Sequence, residues 1–118
     1  MLLRLLTYSC IAALLAVSLA SPARADDITA KEVRASIERG VAYLKSKQNK
    51  VDGNWAEHRG QPGGMTALCT LALLNSGVDP EDEAVQKALA YLRGLGKPKM
   101  VYSTALATMS MGAADPSR

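Results

Sequence analysis

Several groups of side chains in this chain have the types that reactions use. Glu57-His58-Arg59 sets a carboxylate, an imidazole and a guanidinium side by side, the makings of an acid–base cluster. Asp79-Pro80-Glu81-Asp82 crowds carboxylates together, Cys69 is a thiol, and Gly60-Gln61-Pro62-Gly63-Gly64 is a glycine-rich loop ahead of a helix. Each has a plainer reading. The Gly-rich neighbourhood leaves Glu57 and His58 solvated, and the acids from Asp79 suit the positive end of a helix. The loop lacks the Lys-Ser/Thr of a phosphate-binding turn. Cys69 sits in a run of Leu and Ala, as a buried inert thiol does. With His58 it is the only soft metal ligand after the first 25 residues, and a zinc site takes three or four. Neither a metal nor a cofactor is expected.

The elements that must position these groups begin late in the chain. Arg4 leads into an apolar stretch, Ile11 to Val17, and small residues end in Ala23-Arg24-Ala25 before Asp26-Asp27. This is the order of a secretory signal peptide, which predicts export to a periplasm or the exterior. Cutting after Ala20 instead would change little. Leu5 to Ala20 is sixteen residues with four polar side chains, short of the roughly 20 apolar residues of a membrane anchor. Cleavage after Ala25 leaves 93 of the 118 residues, and loss of Arg4 and Arg24 lowers the formal charge from +3 to +1. A nearly neutral chain has no electrostatic footprint for nucleic acid. Cys10 leaves too, and it precedes the apolar stretch instead of ending it, so it is no lipid-attachment site. Cys69 then has no disulfide partner within the chain.

From residue 26 onward the pattern is helical. Thr29-Ala30-Lys31-Glu32 is a capping box, and Val33, Ile37, Val41 and Leu44 make one apolar stripe. Met65 to Leu74 carries no charge and is apolar all round, which predicts burial on most sides. Gly77 suits the left-handed cap that stops it. Asp79 as N-cap and Pro80 at the first helical position predict a third helix, with Val85, Ala88, Leu89 and Leu92 as its stripe. Gly94, Gly96 and Pro98 end it. A fourth, uncharged helix runs from Tyr102 to Ala113, with Ala105, Leu106, Met109 and Met111 prominent.

The two helix pairs match each other. Tyr43-Leu44 recurs as Tyr91-Leu92 forty-eight residues on, and Thr66-Ala67-Leu68 as Thr104-Ala105-Leu106 thirty-eight residues on. Asp-Pro follows each uncharged helix, at Asp79-Pro80 and Asp115-Pro116. A two-helix unit of about 40 residues is the signature of a repeat array. Amphipathic helices would lie outside and apolar helices inside. Such arrays generally need about three units, so two predict an incomplete array, finished by further sequence or by a partner.

One stretch is more specific. Arg39-Gly40 and Tyr43-Leu44 are followed by Gln48 and then by Gly53 and Trp55, the pattern R-G-x2-Y-L-x3-Q-x4-G-x-W. It resembles the QW repeat of squalene and oxidosqualene cyclases and the related repeat of protein prenyltransferase β subunits. The likeness extends over about Val33 to Ala114, though the second unit keeps only Lys87, Tyr91 and Leu92. It implies an all-α fold of αα-hairpin repeats, here a partial (α/α) toroid over residues 26–118. It further implies that Gln48 ties one outer helix to the start of the next, with Trp55 stacked over it. Complement-like thioester domains share that architecture, but their Gly-Cys-Gly-Glu-Gln motif is missing. The residue types agree with a structural role: Gln offers donors and an acceptor to open helix ends, and Trp offers a broad apolar face. Gly40 would allow close helix approach, and Tyr43 and Leu44 would pack.

Cyclases of this kind begin with a proton from Asp-x-Asp-Asp, which is absent; Asp79 to Asp82 fits capping better. Cationic intermediates also want aromatic faces. The chain has no Phe, and of its Trp and four Tyr only Tyr102 starts an inner helix. The first expectation is therefore an exported, non-catalytic binding or scaffolding module, or the N-terminal part of one. The alternative is the front of a terpene-cyclase-like enzyme acting on an isoprenoid, with its acids elsewhere. A carbohydrate-active toroid would need carboxylate pairs on the inner helices, which carry none. An apolar or isoprenoid ligand, a protein partner, or self-association of an unfinished toroid are the partners this implies.

Overall fold

We describe residues 28–97, 99–115 and 117 from a computed structural model of the chain. The signal-peptide reading of residues 1–25 lies outside them, as do Pro98 and Pro116. The described residues form an all-α protein of four helices with no strand: α1 (Ala30–Lys47), α2 (Gly64–Asn75), α3 (Glu83–Gly94) and α4 (Val101–Ala113).

Local chemistry explains most helix ends. At the start of α1 the Glu32 amide donates to Thr29 Oγ1 at 3.3 Å, and the Thr29 amide donates to Glu32 Oε2 at 2.8 Å. Two open donors are satisfied by one reciprocal pair. α2 ends in a Schellman turn: the Val78 amide donates to the Leu73 carbonyl and the Gly77 amide to that of Leu74. Gly77 takes φ +85°, a conformation that a side chain would oppose.

The start of α3 differs from expectation. Its N-cap is Asp82, which accepts from the Ala84 amide at 3.0 Å, and not Asp79. Asp79 instead accepts from the Glu81 amide at 2.8 Å, holding a turn one step upstream. The reason lies outside the local sequence. Lys45, on α1, pairs with Asp82 and fixes it at the helix start.

α2 is the central element, packed on α4, α3 and α1. Small residues let α2 and α4 approach: Ala67 and Ala107 are buried, and Ser110 Oγ donates to the Ala67 carbonyl at 2.7 Å. Trp55, Cys69, Leu73, Val85, Ala88 and Leu89 form the larger core cluster. The stripe of α3 is wholly buried, Leu92 included.

Two burial expectations are corrected. α2 and α4 are not enclosed: Met65 and Leu68 on α2, and Tyr102 and Met109 on α4, are exposed. The other three helices pack on α2 but leave the flank of Met65 and Leu68 open, and α4 is covered chiefly by α2. Nor is the α1 stripe covered along its length. Val33 and Ile37 are exposed, while Val41 and Leu44 are half-buried against the core.

Candidate functional site

The residues of the R-G-x2-Y-L-x3-Q-x4-G-x-W pattern divide into two sets. Leu44, Gln48, Gly53 and Trp55 converge where α1 ends and α3 begins. Gln48 is the C-cap of α1 and is buried; its Nε2 donates at 2.8 Å to the Gly53 carbonyl and at 2.8 Å to the Ala84 carbonyl of α3. Trp55, 5% exposed, donates from Nε1 to the Leu44 carbonyl at 2.8 Å. That carbonyl belongs to the last turn of α1, which leaves such groups open.

Gly53 is demanded by both conformation and space. Its φ is +76°, and a Cβ there would lie 2.7 Å from the Lys87 carbonyl oxygen. The turn before it is held by Asn49, whose Oδ1 accepts from the Val51 and Asp52 amides. The loop thereby delivers Gly53 against α3 with Trp55 two residues later in the core.

The remaining pattern residues lie away from this junction. Nothing stands within 4 Å of a Cβ built on Gly40, so it permits no close helix approach, contrary to expectation. The face it occupies has no helix against it. Tyr43 does not pack in the core either: it is 61% exposed, with Lys47 Nζ 5.5 Å from its ring centre. Arg39 bonds Ser36 Oγ at 2.9 Å on the exposed surface.

Glu57 is not solvated as its loop suggested. Its carboxylate accepts from the Met65 amide at 3.1 Å, from the Thr66 amide at 3.3 Å, and from Thr66 Oγ1. The N-cap of α2 is Gly63, which has no side chain to offer, so Glu57 caps the helix from seven residues before its start. Thr66 Oγ1 in turn accepts from the Trp55 amide at 3.2 Å, linking this cap to the hairpin junction.

His58 remains exposed and is directed elsewhere than Glu57's bonds. It lines a cleft of about 210 Å³ with Gln61, Gly64, Met65, Leu68 and Tyr102. The cleft therefore brings together His58 and Tyr102 but not Glu57. Gln61 Oε1 accepts from Ser103 Oγ at 3.0 Å, and a Cβ on Gly64 would lie 3.1 Å from that hydroxyl. This contact pins the loop to the start of α4, and sequence reading did not single it out. Neither did it single out the Lys45–Asp82 pair, for which no local pattern exists.

The electrostatics are those of structural groups. The hydrogen bond from Lys45 holds the Asp82 carboxyl below the ordinary carboxylate range, helped by the Ala84 amide. Burial pushes the Cys69 thiol up, and the Glu57 carboxylate adds to the effect. A thiol so placed is disfavoured as a thiolate nucleophile. Among the described residues, no three His, Cys, Asp or Glu side chains group to hold a metal, and no buried side-chain nitrogen or oxygen lacks a partner. No described helix is long and apolar enough to cross a membrane.

Comparison of the chain with family models, with curated proteins and with solved structures gives no match.

Proposed function

We propose that this chain is an exported, non-catalytic module of αα-hairpin repeats, or the N-terminal part of one, serving as a scaffold or binding unit of the kind found in (α/α) toroids. The observation that carries the reading is the junction at Gln48. Both hydrogen bonds of its buried amide go to backbone carbonyls, one in the following turn and one on α3. The most distinctive residues of the sequence are thus engaged in joining one hairpin to the next. Glu57, the best acid in the acid–base cluster, is engaged in capping α2. Export rests on the order of charged, apolar and small residues in the first 25 positions.

A second reading, the front part of an isoprenoid-handling enzyme, draws on the cleft beside His58 and Tyr102, whose other walls include Met65 and Leu68. One experiment separates the two. The chain is incubated with squalene and, separately, with farnesyl diphosphate plus a thiol acceptor, and products are sought by mass spectrometry. The scaffold reading expects no turnover of either. Turnover that is lost in Tyr102→Ala, with helix content unchanged, would replace it with the enzyme reading. Localisation is checked by recovering the chain from a bacterial periplasm: a new N-terminus at Asp26 or Ser21 is expected, and retention of Met1 in the cytoplasm would refute export.

A further inference from the structure

Asp52-Gly53 is the only Asp-Gly pair in the sequence, and it lies in the loop that carries the hairpin junction. An aspartate followed by glycine is chemically labile, because no side chain shields the glycine amide from the carboxyl beside it. The two residues stand in opposite surroundings: Asp52 is exposed and Gly53 is buried. Both reacting groups are also held. The Gly53 amide donates to the Asn49 carbonyl at 2.9 Å, and Asp52 Oδ2 accepts from Asn49 Nδ2 at 3.0 Å. The Gly53 carbonyl accepts from Gln48 Nε2, so the junction grips this glycine on its far side too.

We infer that Asp52-Gly53 is a site of spontaneous isoaspartate formation gated by the hairpin junction, protected while the junction is closed and reactive when it opens. In the open loop the Gly53 nitrogen attacks Asp52 Cγ. An N–Cγ bond forms and a Cγ–O bond breaks; the oxygen leaves as water, taking the amide proton and the carboxyl proton. The product is a cyclic succinimide. Water then adds to the main-chain carbonyl carbon of Asp52, and the bond from that carbon to the nitrogen breaks. The chain now runs through Cβ and Cγ, and the former main-chain carbonyl is a free carboxylate. The water lost in the first step is regained in the second, and neither step needs an oxidant or a second substrate.

The closed junction opposes the first step. A nitrogen whose proton is donated to Asn49 must give up that bond before it attacks, and burial leaves it no water to take the proton instead. Nor is Gly53 free to swing toward the carboxyl. At φ +76° it lies so close to α3 that a Cβ would stand 2.7 Å from the Lys87 carbonyl oxygen. The same tightness makes the change lasting. Isoaspartate adds a carbon to the backbone ahead of Gly53, and the contact with α3 has no slack to absorb it. The altered loop cannot hold the Gly53 carbonyl under Gln48 and Trp55 in the core together. Isomerisation thereby converts a transient local opening into a permanent one.

The test is peptide mapping of the full chain, purified as its host processes it, after long incubation at neutral pH in native buffer and in concentrated urea. Isoaspartate at residue 52, read by electron-transfer mass spectrometry, should accumulate in urea and far more slowly in buffer. Gln48→Ala loosens the grip on Gly53 and should speed the reaction in buffer about tenfold, with the rate in urea unchanged. Asn49→Ala, at an exposed position, frees the Asp52 carboxylate without touching Gln48, and should speed it with helical circular dichroism intact. No isoaspartate in urea, a parent chain as fast in buffer as in urea, or either variant no faster than the parent in buffer would overturn the inference. The isomerised chain, separated by chromatography, should melt below the parent; an equal melting temperature would overturn the permanent opening.

Discussion

Gln48 and Ala84, thirty-six residues apart, are joined by a 2.8 Å hydrogen bond from the Gln48 side chain to the Ala84 carbonyl. The bond runs from the C-cap of α1 to the first turn of α3, and the same nitrogen reaches the Gly53 carbonyl. One buried amide therefore fixes the first hairpin, the loop after α1 and the second hairpin relative to each other. Lys45 and Asp82 pair beside it, with both side chains partly exposed. The buried amide is expected to carry more of the coupling than the ion pair, because water screens the partly exposed charges more than it competes for the amide.

Replacing Gln48 tests that division. Gln48→Ala removes both donations and should cost about 1–3 kcal/mol of unfolding free energy, read from urea denaturation. Gln48→Glu should cost more at neutral pH, since a carboxylate would face two carbonyl oxygens. Burial and those carbonyls raise the folded-state pKa of the introduced acid above its unfolded value. Its folded form then holds the proton more tightly, and the variant's deficit should shrink as pH falls. A Glu variant equal to Ala across the pH range would contradict this placement of the side chain.

The glycines separate strain from collision. Gly53 and Gly60 have nearly the same backbone angle, φ +76° and +81°. A Cβ on Gly60 meets nothing within 4 Å, whereas on Gly53 it meets the Lys87 backbone at 2.7 Å. Gly60→Ala should therefore cost about 1–2 kcal/mol, the left-handed penalty alone. Gly53→Ala should cost clearly more and should weaken the Gln48 bond to the Gly53 carbonyl. Equal losses in thermal melts would refute the close contact with α3.

Acid should weaken the junction. The Asp82 carboxyl is held low by Lys45, so its folded-state pKa lies below its unfolded value. A group of that sign stabilises above the unfolded pKa, near about 4, and loses its contribution as pH falls through the folded value. The melting temperature should drop over that window. Asp82→Asn keeps an oxygen for the Ala84 amide while removing the charge, and should flatten the drop without abolishing α3. An unchanged acid limb in Asp82→Asn would show that other carboxylates dominate it.

Glu57 is tested as a cap. Glu57→Ala opens the Met65 and Thr66 amides at the start of α2 and should cost about 1–2 kcal/mol. Glu57→Gln keeps an acceptor oxygen and should recover part of the loss. His58→Ala, at an exposed position, should leave stability within about 0.5 kcal/mol of the parent. A Glu57→Ala variant as stable as the parent would reopen the carboxylate for a chemical role.

Much of the secondary structure was legible because its causes are local. The Thr29–Glu32 box, the stop at Gly77 and the stripe of Val85, Ala88, Leu89 and Leu92 each follow from spacing within a few residues. Four helices and an all-α fold are what those signals require. The misplaced start of α3 shows the limit. Asp79-Pro80 and Asp82 are both good local caps, and Lys45, thirty-seven residues before Asp82, favours the second. Gly40 and Tyr43 show it again, since spacing placed them on a helix without revealing that Gly40 faces open space and that Tyr43 stays largely exposed.

The candidate site divides along the same line. The types and offsets of Gln48, Gly53 and Trp55 were visible in the sequence, and so was the His58 cluster. That Glu57 turns to α2 while His58 joins Tyr102 at a cleft was not, because both outcomes depend on where α2 and α4 cross. Local sequence sets the helices, the caps at Thr29 and Gly77 and the apolar character of the helix faces, since backbone hydrogen bonding and the helical period act over three or four residues. Only the tertiary structure decided which of those faces are covered. Burial is a property of two surfaces meeting, and here α2 has neighbours to meet where the outer flank of α1 and the open face of α4 do not.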